Sequence, residues 1–265
     1  MAKSNHGSAV SAFVHAQQEA RVDGGPRGIG PLVSEFARNK AQPDPEPDFT
    51  DGVITVVKDE DQDGSLTKEF TTFAEALVYS DDGDTLQVGA GTYNEVIDLD
   101  ESVTIVGEEG AILDGSSFVT EIGQTSTIEL FDGFSGGSIS GLTVKAVQDG
   151  NAVVTITGEA VTDVTLEGNI FDAGDNTAGP LVYLNPTADG FVFEDNVFAG
   201  AALTNSPLLG IEADNVQVLN NTFSEVTGTY PKVEVFPGAD GVTTDVEFVG
   251  NIGLVDGSVL YGLYV

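Results

Sequence analysis

A seven-residue acidic stretch, DEDQDGS, carries the side chains best placed for metal chemistry. Asp59, Asp61 and Asp63 supply carboxylates at positions one, three and five of a loop, Gly64 follows at position six, and Ser65 adds a hydroxyl. This pattern matches the first half of an EF-hand-type loop, in which a glycine permits the sharp turn. Position twelve, where a bidentate Glu is expected, is apolar. The stretch predicts either a Ca²⁺ site with these four oxygen ligands or a solvated acidic turn, and no other cofactor is indicated.

Two pairs of neighbouring acids have the residue types for paired-carboxylate hydrolysis, in which one carboxyl acts as acid and the other as base or nucleophile. They are Asp172 with Asp175 and Glu194 with Asp195. The chain holds 43 acidic residues, so such pairs also arise by chance. We therefore predict no catalytic residues and keep a hydrolase as an alternative.

Charge is the dominant compositional feature. The 265 residues include 43 acidic and 9 basic side chains, which give a formal net charge of -34. Such a surface repels itself in dilute buffer and is screened at molar salt, which is typical of proteins from salt-adapted microbes. Nucleic-acid binding needs the opposite sign of charge and is excluded. Cysteine is absent, so disulfides and thiolate metal sites are excluded.

The elements that must position these side chains are short strands that recur in the C-terminal half. The segments DVTLEGNIF, FVFEDNVF, VQVLNNTF and DVEFVGNIG each contain an alternating apolar strand and a corner that ends in Asn169, Asn196, Asn221 or Asn251, at steps of 27, 25 and 30 residues. A strand-only repeat of this period predicts a parallel β-helix, in which each coil buries its apolar face on its neighbours. We expect the asparagines to form a structural ladder and to adopt the left-handed backbone of the corner.

Residues 1–50 differ from the rest of the chain. Apolar spacing around Val10–Val14 and Leu32–Phe36 predicts two short helices, and the Pro-rich run QPDPEPD predicts an extended spacer before the repeat domain at 51–265. Within that domain, Thr71–Tyr79 predicts a short helix that covers the first coil.

The string from Val53 to Ser117 resembles the opening of proteins of the pectin-lyase-like superfamily, such as pectin methylesterases. Its most specific phrases are GDTLQVGAGTYNE and TIVGEEGAILDG. The resemblance implies an all-β, single-stranded right-handed parallel β-helix. It also implies a test of activity, because enzymes of this superfamily rely on Arg or His beside acidic residues. Here no Arg follows Arg38 and no His follows His15, so the catalytic residues of the family are not matched.

The chain ends on an apolar strand with no helix after it, formed by Val259, Leu260, Tyr261, Leu263, Tyr264 and Val265. Terminal repeats usually carry a polar outer face, so this strand predicts either a lid on the last coil or a surface for self-association. No stretch is long and apolar enough to span a membrane, and the N-terminus lacks the pattern of a secretory signal.

These features together predict a non-enzymatic structural or adhesive protein, extracellular or at the cell surface of a salt-adapted microbe. Its expected partners are copies of itself or surface glycans. The alternatives are a polysaccharide-active lyase or hydrolase, a tailspike-like glycan-binding module, and an intracellular scaffold.

Overall fold

The structure is a computed structural model, and it describes residues 53–56, 69–118, 126–147, 152–156, 158, 160–174, 180–200, 206–224, 231–237, 242–254 and 263–264. The predicted N-terminal arm and its Pro-rich spacer lie outside these residues. The acidic turn with Asp59, Asp61, Asp63 and Ser65 also lies outside them.

The described strands form three parallel sheets. The first has nine strands: β1 Val53–Val56, β2 Glu69–Phe70, β3 Thr85–Val88, β6 Thr104–Gly107, β9 Ser138–Ser140, β12 Thr165–Glu167, β15 Val192–Glu194, β18 Gln217–Leu219 and β21 Glu247–Val249. The second has six: β4 Gly91–Tyr93, β7 Ala111–Asp114, β10 Thr143–Lys145, β13 Ile170–Asp172, β16 Val197–Ala199 and β19 Thr222–Phe223. The third has seven: β5 Ile97–Leu99, β8 Ser126–Leu130, β11 Ala152–Ile156, β14 Val182–Leu184, β17 Leu209–Ile211, β20 Val233–Val235 and β22 Leu263–Tyr264.

The order of pairing identifies the architecture as a β-solenoid. From β3 to β21, successive strands visit the three sheets in turn, and each strand pairs in parallel with its counterpart on an adjacent coil. The parallel β-helix predicted from the repeat, and implied by the resemblance to the pectin-lyase-like superfamily, is thereby confirmed.

The core fills the inside of the coil with one inward side chain from the middle of most three-residue strands. Phe171, Phe198 and Phe223 occupy equivalent positions on three successive coils, with ring centroids 5.3 Å and 4.7 Å apart. All three are buried. Because neighbouring side chains in a strand point to opposite faces, the residues on either side of each Phe face outward.

A ladder of asparagines runs along one corner. Asn169, Asn196 and Asn221 are fully buried, and Asn251 is half-buried. The amide oxygen of each later asparagine accepts hydrogen bonds from both the backbone N–H and the side-chain NH₂ of the asparagine one coil earlier, at 2.9–3.2 Å. Each side-chain NH₂ also donates to a backbone carbonyl of an adjacent coil, such as Leu166 O at 2.7 Å for Asn196. The ladder therefore satisfies backbone groups that the corner buries.

The prediction that these asparagines adopt the left-handed backbone was wrong. That conformation belongs to the residue immediately before each of them, with φ between 54° and 69° at Gly168, Asp195, Asn220 and Gly250. There is a physical reason why the residue that turns the chain and the residue that forms the ladder are different. The ladder residue must send its side chain inward to reach the adjacent coil, so the residue before it makes the turn, and Gly, Asn and Asp tolerate positive φ best.

The predicted covering helix is confirmed and spans Phe73–Leu77, here called α1. Thr72 caps it by accepting a hydrogen bond from Glu75 N at 3.1 Å. The Glu95 carboxylate accepts from Phe73 N at 3.1 Å and from Ala74 N at 3.0 Å, which ties the helix to the first coil. A short 3-10 helix, Asp132–Phe134, is the other described helical turn. No described helix has the length and hydropathy needed to cross a membrane.

The final strand is described only at Leu263 and Tyr264. Their backbone pairs in parallel with Val233 and Glu234 of β20 in the same chain. This pairing is the one expected of a lid on the solenoid. Val259, Leu260, Tyr261 and Val265 lie outside the described residues.

Candidate functional site

Three charged side chains lie in one line on the outward side of the six-stranded sheet. Lys145, at the end of β10, pairs in register with Asp114 of β7 on one side and with Asp172 of β13 on the other. Equivalent positions on adjacent strands are about 4.8 Å apart, so Lys145 lies in register between Asp114 and Asp172 on three consecutive coils. We call Asp114, Lys145 and Asp172 the charged line.

The first two members of the charged line form an ion pair. Lys145 Nζ lies 2.9 Å from Asp114 Oδ2. The other oxygen, Asp114 Oδ1, accepts from Ser116 Oγ at 2.5 Å and from Ser116 N at 3.0 Å. Burial by itself would raise the pKa of Asp114, but the hydrogen bonds from Ser116 and Lys145 outweigh it and hold the pKa below its usual value. The carboxylate is therefore a fixed anion, well suited to accept hydrogen bonds and poorly suited to give up a proton.

The third member, Asp172, closes its own turn by accepting a hydrogen bond from Gly174 N at 2.9 Å. Its predicted acid partner, Asp175, lies outside the described residues. The residue in register with Asp172 on the adjacent strand β10 is Lys145.

A second outward row runs beside the charged line on the same strands, two residues earlier in each. Its members are half-buried or exposed, and Ile170 leaves 41% of its surface in water. Register pairs place them in sequence along the sheet: Ile112, Thr143, Ile170, Val197 and Thr222. The face thus presents a row of Ile, Val and Thr side chains, which we call the apolar row, alongside the charged line.

The other acid pair is divided between a strand and the corner that follows it. Glu194 points outward from the nine-stranded sheet, in register with Glu167. Asp195 makes the corner before Asn196, with φ of 54°. The two side chains therefore serve different elements, although they are adjacent in sequence.

A cluster of acids near the first coil went unnoticed in the sequence. Glu101 is half-buried, and its Oε2 accepts from Ser80 Oγ at 3.3 Å. Burial, together with the negative charge of Asp100, Asp81 and Asp82, raises the pKa of the Glu101 carboxyl to about 7. A carboxylic acid with a pKa near neutrality has the property required of a general acid. Across the described ranges, no three acidic or His side chains are grouped so that they could hold a metal ion.

Sequence reasoning also missed Asp114 and Ser116. Lys145 was visible as one of few cations, but Asp114 lies 31 residues before it, outside the 27-residue rhythm of the asparagine corners. The one available signal was the DGSS turn directly after the predicted strand at Ala111, since Asp and Ser next to Gly often bond their own turn.

Solved structures similar to this chain include pectin methylesterases. Two are of the enzyme from Aspergillus niger. The penultimately deglycosylated form has 14% identity, covers 80% of this chain and 84% of that chain, and has a TM-score of 0.40. The deglycosylated form has 16% identity, the same coverage and a TM-score of 0.35. A pectin methylesterase mutant bound to a hexasaccharide has 11% identity, covers 73% and 80%, and has a TM-score of 0.40.

No protein-family model matches the chain, and no curated protein matches it in sequence. The structural likenesses are too weak to bear on activity. The chain is a parallel β-solenoid, and what it does must be argued from its own surface.

Proposed function

We propose that this chain recognises an extended polysaccharide along the outer face of its six-stranded sheet, and that it binds the polymer without cleaving it. The observation that carries the proposal is the charged line of Asp114, Lys145 and Asp172 beside the apolar row that contains Ile170. The proposal keeps the non-enzymatic, surface-associated role expected from the sequence and assigns a glycan as the partner.

The two rows suit the two surfaces that a sugar ring offers. A pyranose has an apolar face of C–H groups and a rim of hydroxyls. The apolar row of Ile112, Ile170 and Val197 can cover the former, while carboxylates accept from the hydroxyls and an ammonium donates to them. Because both rows repeat at the strand spacing of about 4.8 Å, the face can contact several sugar units of one polymer.

The charge balance favours an uncharged polymer over a polyanion. Lys145 is neutralised by Asp114, and the whole chain has a formal net charge of -34. A uronate polymer would therefore be repelled at low ionic strength unless divalent cations bridged it.

Binding of the full chain to a neutral β-glucan, a galactomannan and polygalacturonate, measured by calorimetry at fixed high salt, tests the proposal. We expect a neutral polymer to bind, and Ile170→Ser and Lys145→Gln to weaken binding about tenfold or more, a loss of about 1.4 kcal/mol. Val106→Ser is the matched control, because Val106 is 39% exposed on the nine-stranded sheet. Equal loss in Val106→Ser, or no neutral polymer bound, would overturn the assignment.

A second candidate, a polysaccharide hydrolase, is favoured by one observation, the pKa of about 7 at Glu101. An acid of this pKa is about half protonated at neutral pH, so it can donate a proton as the general acid of paired-carboxylate hydrolysis does. Release of reducing ends from the same polymers tests it. Turnover that is lost in Glu101→Gln and kept in Glu109→Gln would replace the binding role with an enzymatic one.

Surface location and self-association remain proposals of the same kind. The pairing of Leu263 with Val233 supports the lid, so removal of residues 259–265 should impair folding. A folded monomer after this truncation of an oligomeric protein would instead support docking between copies. Fractionation of cells into surface and cytosolic proteins tests the location.

A further inference from the structure

The end of helix α1 meets a corner of the first coil through one buried serine. Ser80, three residues after the last helical residue, is 5% exposed. Its Oγ lies 3.1 Å from Leu77 O, at the end of the helix, and 3.3 Å from Glu101 Oε2, at the corner between β5 and β6. Carbonyls in the last turn of a helix have no partner within the helix, so they need a donor from elsewhere. We call Ser80, Glu101 and the Leu77 carbonyl the Ser80 junction.

The Ser80 junction has one hydrogen too few when Glu101 is ionised. A serine hydroxyl carries one hydrogen, so it makes a full hydrogen bond to only one of its two acceptors, the Leu77 carbonyl or the Glu101 carboxylate. A protonated Glu101 supplies the second hydrogen, because its O–H can donate to Ser80 Oγ while Ser80 donates to Leu77 O. The positions of the three oxygens therefore suit the protonated acid, and ionisation deprives one acceptor of its donor.

The charges around the Ser80 junction also disfavour ionisation. Burial is the largest cause that raises the pKa of Glu101 to about 7, and the negative charges of Asp100, Asp81 and Asp82 add to it, although the hydrogen bond from Ser80 acts against them. No basic residue lies in the last turn of α1. The ionised form therefore places a further negative charge among three acids at the point where the helix meets the coil.

Other acids on the elements packed here make their own hydrogen bonds. In the turn after the helix, Asp84 Oδ2 accepts from Asp81 N at 2.9 Å. On α1 itself, Glu75 is exposed and its Oε2 accepts from Thr71 Oγ1 at 3.3 Å. On the next coil, Asp132 Oδ1 accepts from Ala160 N at 2.9 Å. Glu101 is thus the acid of this region that is both half-buried and bonded to the serine.

The Ser80 junction belongs to a wider contact between the turn after α1 and the corner of the coil. Gly83 N donates to Ser102 O at 2.7 Å, and Asp82 Oδ1 accepts from Ser102 N at 2.9 Å. On its inner side α1 buries Phe73, whose ring meets that of Tyr93 edge-on with centroids 5.4 Å apart. A helix that leaves this corner would therefore uncover apolar side chains at the first end of the solenoid.

We propose that the Ser80 junction is a proton-dependent switch of the N-terminal cap, which holds α1 on the corner when the Glu101 carboxyl is protonated and loosens it when the carboxyl ionises. The direction follows from linkage. When α1 opens, Glu101 returns to water and to its ordinary pKa, so the closed state binds the proton more tightly than the open state. Opening therefore becomes more favourable as pH rises from 4.5 to about 7, and levels off above that. The switch does not depend on the proposed polysaccharide face, which lies on the six-stranded sheet.

Amide hydrogen exchange of the full chain, followed by NMR at about 1 M salt between pH 4.5 and pH 7, tests the proposal. At this ionic strength the Debye length is about 3 Å, so the charges of distant acids are screened. The amides to follow are those of Ala76, Tyr79 and Gly83, which donate to Thr72 O, Ala76 O and Ser102 O. After correction for the intrinsic exchange rate at each pH, we expect their opening constants to rise about tenfold or more, because each pKa unit corresponds to a factor of ten.

Glu101→Gln should abolish most of this rise, because its amide can donate to Ser80 at every pH as the protonated acid does. Glu109→Gln is the matched control, since it removes the same charge from an exposed position and should keep the rise. The amide of Val192, which donates to Val164 O on a later coil, reports opening of the whole solenoid and should keep a smaller opening constant at every pH.

Three results would overturn the proposal: opening constants of α1 that do not change with pH, a rise that persists in Glu101→Gln or is lost equally in Glu109→Gln, and opening constants of α1 equal to that of Val192, which would mean that the helix opens only with the whole chain. Circular dichroism establishes that each variant is folded. If Glu101→Gln does not fold, Ser80→Ala decides the same question, because unchanged protection of the Tyr79 amide at pH 4.5 in that variant contradicts the junction.

Discussion

Replacing Asn196 by Ala should destabilise the solenoid far more than the loss of one exposed hydrogen bond would. Asn196 is fully buried, and its amide oxygen accepts from the backbone N and the side-chain NH₂ of Asn169. Its own NH₂ donates to Leu166 O and to Asn221 Oδ1. The substitution removes all four bonds and leaves two backbone groups of the preceding coil without these partners.

The size of the effect follows from two of these groups. Asn169 N–H and Leu166 C=O lose the partners described above, and a buried polar group left unsatisfied costs about 1–3 kcal/mol, so the expected loss is about 2–6 kcal/mol. This is a large share of the stability of an ordinary domain, about 5–15 kcal/mol. Unfolding in urea at one fixed high salt concentration, followed by far-UV circular dichroism, measures it.

Asn251→Ala is the matched control, because Asn251 makes the same type of contacts at the end of the ladder. Its oxygen accepts from Asn221 N, but the residue is half-buried and water can replace part of what is lost. We expect a loss of about 1 kcal/mol or less for this variant. If Asn196→Ala were no more destabilising than Asn251→Ala, the ladder would not be the means by which the corner satisfies its buried backbone.

Three further predictions concern other parts of the chain. Burial and neighbouring charges raise the pKa of Glu101 from 4.5 to about 7 in the folded state, so the free energy of unfolding should fall as pH rises through this interval. Glu101→Gln should flatten that part of the profile of unfolding free energy against pH, measured with urea. An unchanged slope would contradict the assignment. Glu95→Gln should lower the free energy of unfolding by about 1–2 kcal/mol in the same assay. The reason is that an amide has one acceptor oxygen for the two helix N–H groups that the carboxylate now binds. No change in stability would mean that the helix docks without these hydrogen bonds. Calorimetry should detect Ca²⁺ binding to the full chain, with Asp59, Asp61 and Asp63 as ligands. Asp61→Asn should weaken the Ca²⁺ affinity about tenfold or more. If the unaltered chain gives no heat of binding, the interpretation of this stretch as a solvated acidic turn is the correct one.

The fold could be predicted from the sequence because the repeat combines strand-forming segments with a regular spacing. Asparagines at steps of 25 to 30 residues, each after an alternating strand, leave few architectures other than a coil that stacks on itself. The covering helix at Phe73–Leu77 was also predictable, since Thr72 and Glu75 mark its start and its buried residues have helical spacing.

The sequence did not predict which residue of each corner adopts the left-handed conformation. Position 168 is Gly, 195 is Asp, 220 is Asn and 250 is Gly, so the turning residue varies in type while the asparagine after it does not. Because the asparagine recurs in every repeat, the left-handed conformation was predicted for it and not for the variable residue before it. Which of the two turns the chain depends on which side chain must enter the coil, and that is a property of the stacked structure.

What the sequence determined by itself was the solenoid, its asparagine ladder and its acidic surface, because these follow from periodicity and composition along the chain. What only the tertiary structure decided was register between coils. Register places Lys145 against Asp114 and Asp172, and Tyr183 and Glu234 on either side of Gly210. Coil lengths vary through loops of unequal size, so residues that meet across the strand spacing of about 4.8 Å are set by hydrogen-bonded pairing and not by distance in sequence.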